Sequence, residues 1–198
     1  MAELGDDLIR AGAIALIGMP GGGKSTVGRQ LAKRLGWHFA DSDVWAEKRI
    51  GCSIRSFFES QGEDRFRDVE SSVIDELTLL PRTVLGTGGG AVLREENRRL
   101  LHSRCHVIYL RSSPEELYRR LRHDASRPLL QVPDPLGRLR ELFEKRDPLY
   151  REVAHFVVDT GRPSVASLVN MVLMQLELAG VIDAGLVPSP VEPPRSPH

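Results

Sequence analysis

The octapeptide Gly18-Met19-Pro20-Gly21-Gly22-Gly23-Lys24-Ser25 fits G-x-x-x-x-G-K-[ST], and its surroundings constrain the fold as much as its letters do. It directly follows the apolar run Ala13–Ile17 and directly precedes a helical pattern over 27–35. A strand, a glycine-rich turn and a helix in that order bring backbone N–H groups and the positive end of a helix onto one anion. In that arrangement Lys24 would bridge the β- and γ-phosphates of a bound nucleotide, and Ser25 would bind Mg2+. A plain glycine turn with a chance lysine would have no need of the strand and the helix as well. The loop reads the triphosphate and not the acceptor, so a kinase, a switch GTPase and an ATPase all remain open.

Short β-type runs alternate with longer helical patterns, which predicts a three-layer α/β fold of the P-loop type: a five-stranded parallel sheet with helices on both faces. The strands are expected at Ala13–Ile17, His38–Asp41, Thr83–Gly86, 106–110 and 155–159. Ser113-Pro114-Glu115-Glu116 reads as a capping box opening a helix that runs to about His123. A last helix is expected from about Pro163 to Ala179, with Gly180 as its stop. Residues 1–180 are expected to form one domain, with a lid loop over about 124–135 that carries three prolines. An inert linker is the alternative for that loop. The stretch 181–198 is a Pro-rich tail with no apolar periodicity, expected to be disordered.

Lys and Arg total 27, and Asp and Glu total 27, so nothing points to a nucleic-acid or membrane surface as partner; a small soluble ligand is favoured. Among the basic residues only Lys24, Lys33, Lys48 and Lys145 are lysine. The arginine bias suits the recognition of anions by forked guanidinium groups, and equally suits a compositional bias. Cys52 and Cys105 have no metal-type spacing and read as free thiols of a reducing compartment. The acidic N-terminus and the shortness of every apolar run argue against a signal peptide and a membrane span, so a cytoplasmic protein is expected. The six histidines form no ligand-spaced cluster along the chain, and Trp37 and Trp45 are expected to pack.

The second strand runs into Phe39-Ala40-Asp41-Ser42-Asp43, which would set two carboxylates on one side of an extended segment beside the glycine loop. One can serve Mg2+, directly or through water, and the other can orient or deprotonate an acceptor hydroxyl. The alternative for Asp43 is a helix N-cap. Further along stand Phe66-Arg67-Asp68-Val69-Glu70, Gly86-Thr87-Gly88-Gly89-Gly90-Ala91, Arg127-Pro128-Leu129-Leu130 and Lys145-Arg146-Asp147-Pro148-Leu149-Tyr150. Taken singly, the glycines could form an ordinary turn, Arg67 a solvated helix face and Arg146 a helix C-terminal cation.

Together, in this order, these blocks over roughly 12–178 resemble the shikimate kinase family. The resemblance implies transfer of the ATP γ-phosphoryl group to the 3-hydroxyl of shikimate, giving shikimate 3-phosphate and ADP, on the route to chorismate and the aromatic amino acids. It implies Asp41 on the Mg2+ side, Asp43 at the shikimate hydroxyls, Arg67 and Arg146 at the shikimate carboxylate, and Gly88, Gly89 and Gly90 as the substrate loop. Gly21, Gly22, Gly23, Lys24, Ser25 and Thr26 would hold ATP, Arg127 would be the lid arginine, and Arg162 a neighbour of the adenine. Lys24, Asp43 and Arg127 would carry the catalysis, with Mg2+ as cofactor and ATP and shikimate as the partners of a monomer. Pro163 stands where some relatives carry another basic residue, which bears on the adenine contact and not on the chemistry. Rivals are a kinase of gluconate or a nucleotide, and a nucleotide-binding sensor without turnover.

Overall fold

The computed structural model describes residues 12–124, 130–161, 163–183 and 185. The elements follow as β1 (Ala13–Ile17), α1 (Lys24–Leu35), β2 (His38–Asp41), α2 (Ser42–Ile50), α3 (Ile54–Gln61), α4 (Glu63–Leu77) and β3 (Thr83–Gly86). A 3-10 turn (Ala91–Leu93), α5 (Glu95–Arg104), β4 (Cys105–Arg111), α6 (Pro114–Leu121), α7 (Pro135–Val153), β5 (Phe156–Asp159) and α8 (Val165–Leu178) complete the chain. The five strands are parallel throughout, in the order β2-β3-β1-β4-β5.

All five residues of β1 are buried, because the strand is central and both its faces are covered. Its side chains alternate between two cores. Ala13, Ala15 and Ile17 join Val107, Tyr109, Phe66, Ile74 and Tyr150 on one face, while Ile14 and Leu16 join Val27, Leu31, Leu168 and Val172 on the other. The sheet is thus sandwiched between α1 and α8 on one side and the remaining long helices on the other. Trp45 packs against the first core and Trp37 against the second.

β4 is longer at both ends than the expected 106–110, and β5 starts one residue later than expected. Registry explains the first: Ala13 pairs with Cys105 at one end, and Arg111 pairs with Asp159 at the other. The capping box at Ser113 is present, with Ser113 Oγ accepting from the Glu116 N–H and the Glu116 carboxylate from the Ser113 N–H. Ser164 caps α8, and Gly180 at φ 69° ends it. Both cysteines are free; burial pushes the Cys105 thiol up to about 12, so it stays protonated.

With β1 central and the chain crossing from its β3 side to its β4 side, the carboxyl ends of these strands open a crevice at the point where the winding reverses. The loop after β1, the start of α2 and the glycine run after β3 all leave the sheet at that edge.

Candidate active site

On the nucleotide side, Gly23 sits in the left-handed region at φ 87° as the N-cap of α1, and it offers no side chain to the first turn. That turn also carries no acidic residue, so its N–H groups are left for an external anion. Lys24, buried, donates through Nζ to the carbonyl oxygens of Gly18 and Met19, each at 2.8 Å, and so ties the mouth of the loop to its own first helical turn. Gly21 and Gly22 line the loop, while Thr26 is exposed at the start of α1.

Ser25 Oγ donates to Asp41 Oδ2 at 2.9 Å, and Asp41 Oδ1 accepts from the N–H groups of Asp43 at 2.9 Å and Val44 at 3.3 Å. Asp41 is therefore the N-cap of α2. β2 ends at Asp41 as expected, but one expectation is corrected, that both carboxylates project from one extended segment, and the alternative of Asp43 as the cap is ruled out. The chain is extended only to Asp41, where β2 pairs with Gly86 and the sheet contact ends. Asp43 consequently projects from the first helical turn, and the capping role falls to Asp41. The oxygen-only pair Ser25 and Asp41 suits a hard cation that keeps several waters.

On the acceptor side, burial, with Asp41 and Glu70 adding to it, pushes the Asp43 carboxyl up to about 6; Lys24 works in the opposite direction. The glycine run is held by close approaches. A Cβ on Gly88 would lie 2.5 Å from Asp43 Oδ1, one on Gly89 would lie 2.6 Å from Pro20 Cδ, and one on Gly90 would collide with the Arg67 guanidinium. The Gly88 N–H donates to the buried Ser42 Oγ at 3.0 Å, and Tyr150 Oη donates to the Gly89 carbonyl at 2.6 Å.

Arg67 is 9% exposed, so it is no solvated helix face. Its guanidinium donates to Glu70 Oε2 at 2.6 Å and to Glu63 Oε1 at 2.9 Å. Burial disfavours its charge, but the two carboxylates outweigh burial and hold it above the ordinary range. At Glu70 burial wins over the neighbouring Arg67, Arg146 and Arg94, and its pKa is raised. Arg146 lies in the interior of α7, half-buried and one turn before Tyr150, where it bears on both the Tyr150 hydroxyl and Glu70. Asp43, Arg67, Arg146 and Gly88 to Gly90 are thus neighbours, and Pro20 joins them to the nucleotide loop. Arg127 and Arg162 lie outside the described residues.

Glu63, Glu70 and Tyr150 belong to the site without having been singled out from sequence. The signal for the two acids was their spacing of four and three residues from Arg67 on one helix. Behind the loop, Ser112 faces Gly22, and Arg120 donates to the Thr160 carbonyl and reaches Ser112 Oγ at 3.5 Å. Elsewhere, at the amino ends of β4 and β5, His102 stacks on His155 with centroids 4.4 Å apart and His106 leans toward the pair. These rings meet in space despite their separation in sequence, but among the described residues no three or more His, Cys, Asp or Glu side chains come together as a metal site.

A family model described as shikimate kinase matches residues 20–177. The chain belongs to the shikimate kinase family. A shikimate kinase of Paracidovorax citrulli is 59% identical over 172 residues, 85% of this chain and 94% of that protein. The structure of a shikimate kinase from Acinetobacter baumannii in complex with shikimate matches with a TM-score of 0.81 at 43% identity, covering 87% of this chain and 96% of that one. The P-loop fold of this shikimate kinase family member extends to a gluconokinase from Sinorhizobium meliloti at a TM-score of 0.56 and 20% identity, covering 85% of this chain and 93% of that one, which is a likeness of fold alone.

Proposed function

We propose that this chain transfers the γ-phosphoryl group of ATP to the 3-hydroxyl of shikimate, releasing ADP and shikimate 3-phosphate. The observation that carries this is the position of Asp43, raised to about 6, beside Lys24 of the phosphate loop and against Gly88, in the same glycine run whose Gly90 meets Arg67. A planar carboxylate fits forked guanidinium donors, so Arg67 and Arg146 would hold the acceptor at its carboxylate end. Gly88 to Gly90 let the ring approach the backbone, where any side chain would strike Asp43, Pro20 or Arg67. Asp43 then orients the attacking hydroxyl and takes its proton as the oxygen–phosphorus bond forms. Lys24 leaves the carbonyls of Gly18 and Met19 for the β- and γ-phosphate oxygens, where charge grows as the bond to ADP breaks.

Mg2+ would be held at Ser25 and Asp41, with Asp41 reaching it directly or through water. Bound there, the cation would offset the negative charge of the nucleotide phosphates. Arg127 would add a cation from the lid, and Arg162 would stand by the adenine. We further place catalysis in one domain over 1–180, acting as a monomer in the cytoplasm, with 181–198 outside it. No helix among the described residues is long and apolar enough to cross a membrane.

The test is ADP release with ATP and Mg2+, comparing shikimate, gluconate, adenylate and no acceptor, with the product identified by mass. Shikimate-dependent turnover is expected. Turnover with another acceptor alone would overturn the substrate, and nucleotide binding without turnover would indicate a sensor.

A further inference from the structure

Tyr150 is 1% exposed and spends its hydroxyl on the Gly89 carbonyl, 61 residues away in sequence, at 2.6 Å. Because the peptide unit is planar and trans, fixing that carbonyl also fixes the direction of the Gly90 N–H. The Gly90 N–H has no backbone or side-chain acceptor among the described residues, and the Gly90 α-carbon lies directly against the Arg67 guanidinium. On its other side the same segment is stopped by Pro20 of the phosphate loop. Tyr150 itself has little freedom, because its ring packs on the ring of Tyr109 with centroids 4.9 Å apart. Arg146, one turn earlier on α7, also bears on the Tyr150 hydroxyl.

We propose that Tyr150 is a positioning residue for the acceptor: its hydroxyl sets the Gly89–Gly90 peptide so that the Gly90 N–H faces the acceptor in register with Arg67 and Arg146. This rests on the acceptor pocket assigned above. Burial pushes the phenol up to about 12, so the hydroxyl remains a donor across the working pH range. Loss of the donor frees the peptide to rotate and leaves the Gly89 carbonyl unpaired, while the nucleotide side keeps all its contacts.

The experiment compares Tyr150→Phe with Tyr109→Phe, which removes a hydroxyl from the same aromatic pair without touching the glycine run. For Tyr150→Phe the KM for shikimate should rise about tenfold, the worth of one buried hydrogen bond, with the KM for ATP within about twofold of wild type. Tyr109→Phe should change the shikimate KM by less than about twofold. Calorimetric binding of shikimate to both folded variants should follow the same order. An unchanged shikimate KM in Tyr150→Phe, a parallel rise in both KM values, or an equal effect of Tyr109→Phe would overturn the role. A wild-type enzyme inactive with shikimate would instead remove the substrate assignment, and the comparison would be run with whichever acceptor supports ADP release.

Discussion

Asp43 shows how a single side chain is tuned by what surrounds it. Its carboxyl titrates at about 6 because ionising it means placing a charge in a desolvated spot beside Asp41 and Glu70. As pH falls through about 6 the side chain takes up a proton and can no longer accept one from the substrate. We therefore expect kcat/KM for shikimate to fall on the acid side with an apparent pKa near 6; a profile flat to below pH 5 would contradict this. The stability sign is opposite. A pKa raised from 3.8 favours the folded state at low pH, and that contribution is lost as pH rises through about 6, so at neutral pH the ionised Asp43 is a cost. Asp43→Asn should be inactive yet melt a few degrees higher, as read by a thermal scan at pH 7. Gly88→Ala should lower kcat about 100-fold by displacing the Asp43 carboxylate, with ATP binding retained by fluorescence titration. The sequence placed Lys24 and Ser25 in a loop between strand and helix by motif and context, whereas Asp41 and Gly88 to Gly90 took their expected roles only from the resemblance of the whole set of blocks. Tyr150 was not legible, since nothing local to it betrays a partner in another loop. Which of Asp41 and Asp43 would cap was equally hidden, because both are good caps and the choice depends on where pairing with β3 stops.

Elements were readable where their ends carry chemistry. Ser113-Pro114-Glu115-Glu116 announces α6 through its cap, and Ser113→Ala should cost about 1 kcal/mol by chemical denaturation. Turnover at saturating substrate should be nearly unchanged in that variant. β1 and β4 were legible as unbroken apolar runs. The excursion α2 to α4 was not resolved into helices, because α3 has no fully buried side chain to reveal a period and the turns between the three are only a few residues long. Yet that excursion brings Asp43 and Arg67 to the same glycine run, one from the start of α2 and the other from α4. Arg67→Ala should accordingly weaken shikimate use strongly, by about tenfold or more in kcat/KM, while sparing ATP affinity. It should also destabilise the fold, since Glu70 would lose the charge that offsets its burial.

At the scale of the molecule, five parallel strands in three layers followed from the alternation of patterns, whereas the order β2-β3-β1-β4-β5 did not. Period and propensity say what a segment is and little about which neighbour it chooses; that choice is made by packing and by the hand of each crossover. The balance of charge was a fair guide to a small-molecule site, but the meeting of His102, His106 and His155 shows how little linear spacing says about contacts in space. The two rims of the sheet, β2 and β5, are only four residues long, and each closes on an aspartate. A rim that short, with a charge at its end, offers a stranger's backbone almost nothing to zip onto. The folded protein should therefore tolerate being concentrated, and any association on heating should wait for the central strands to come apart.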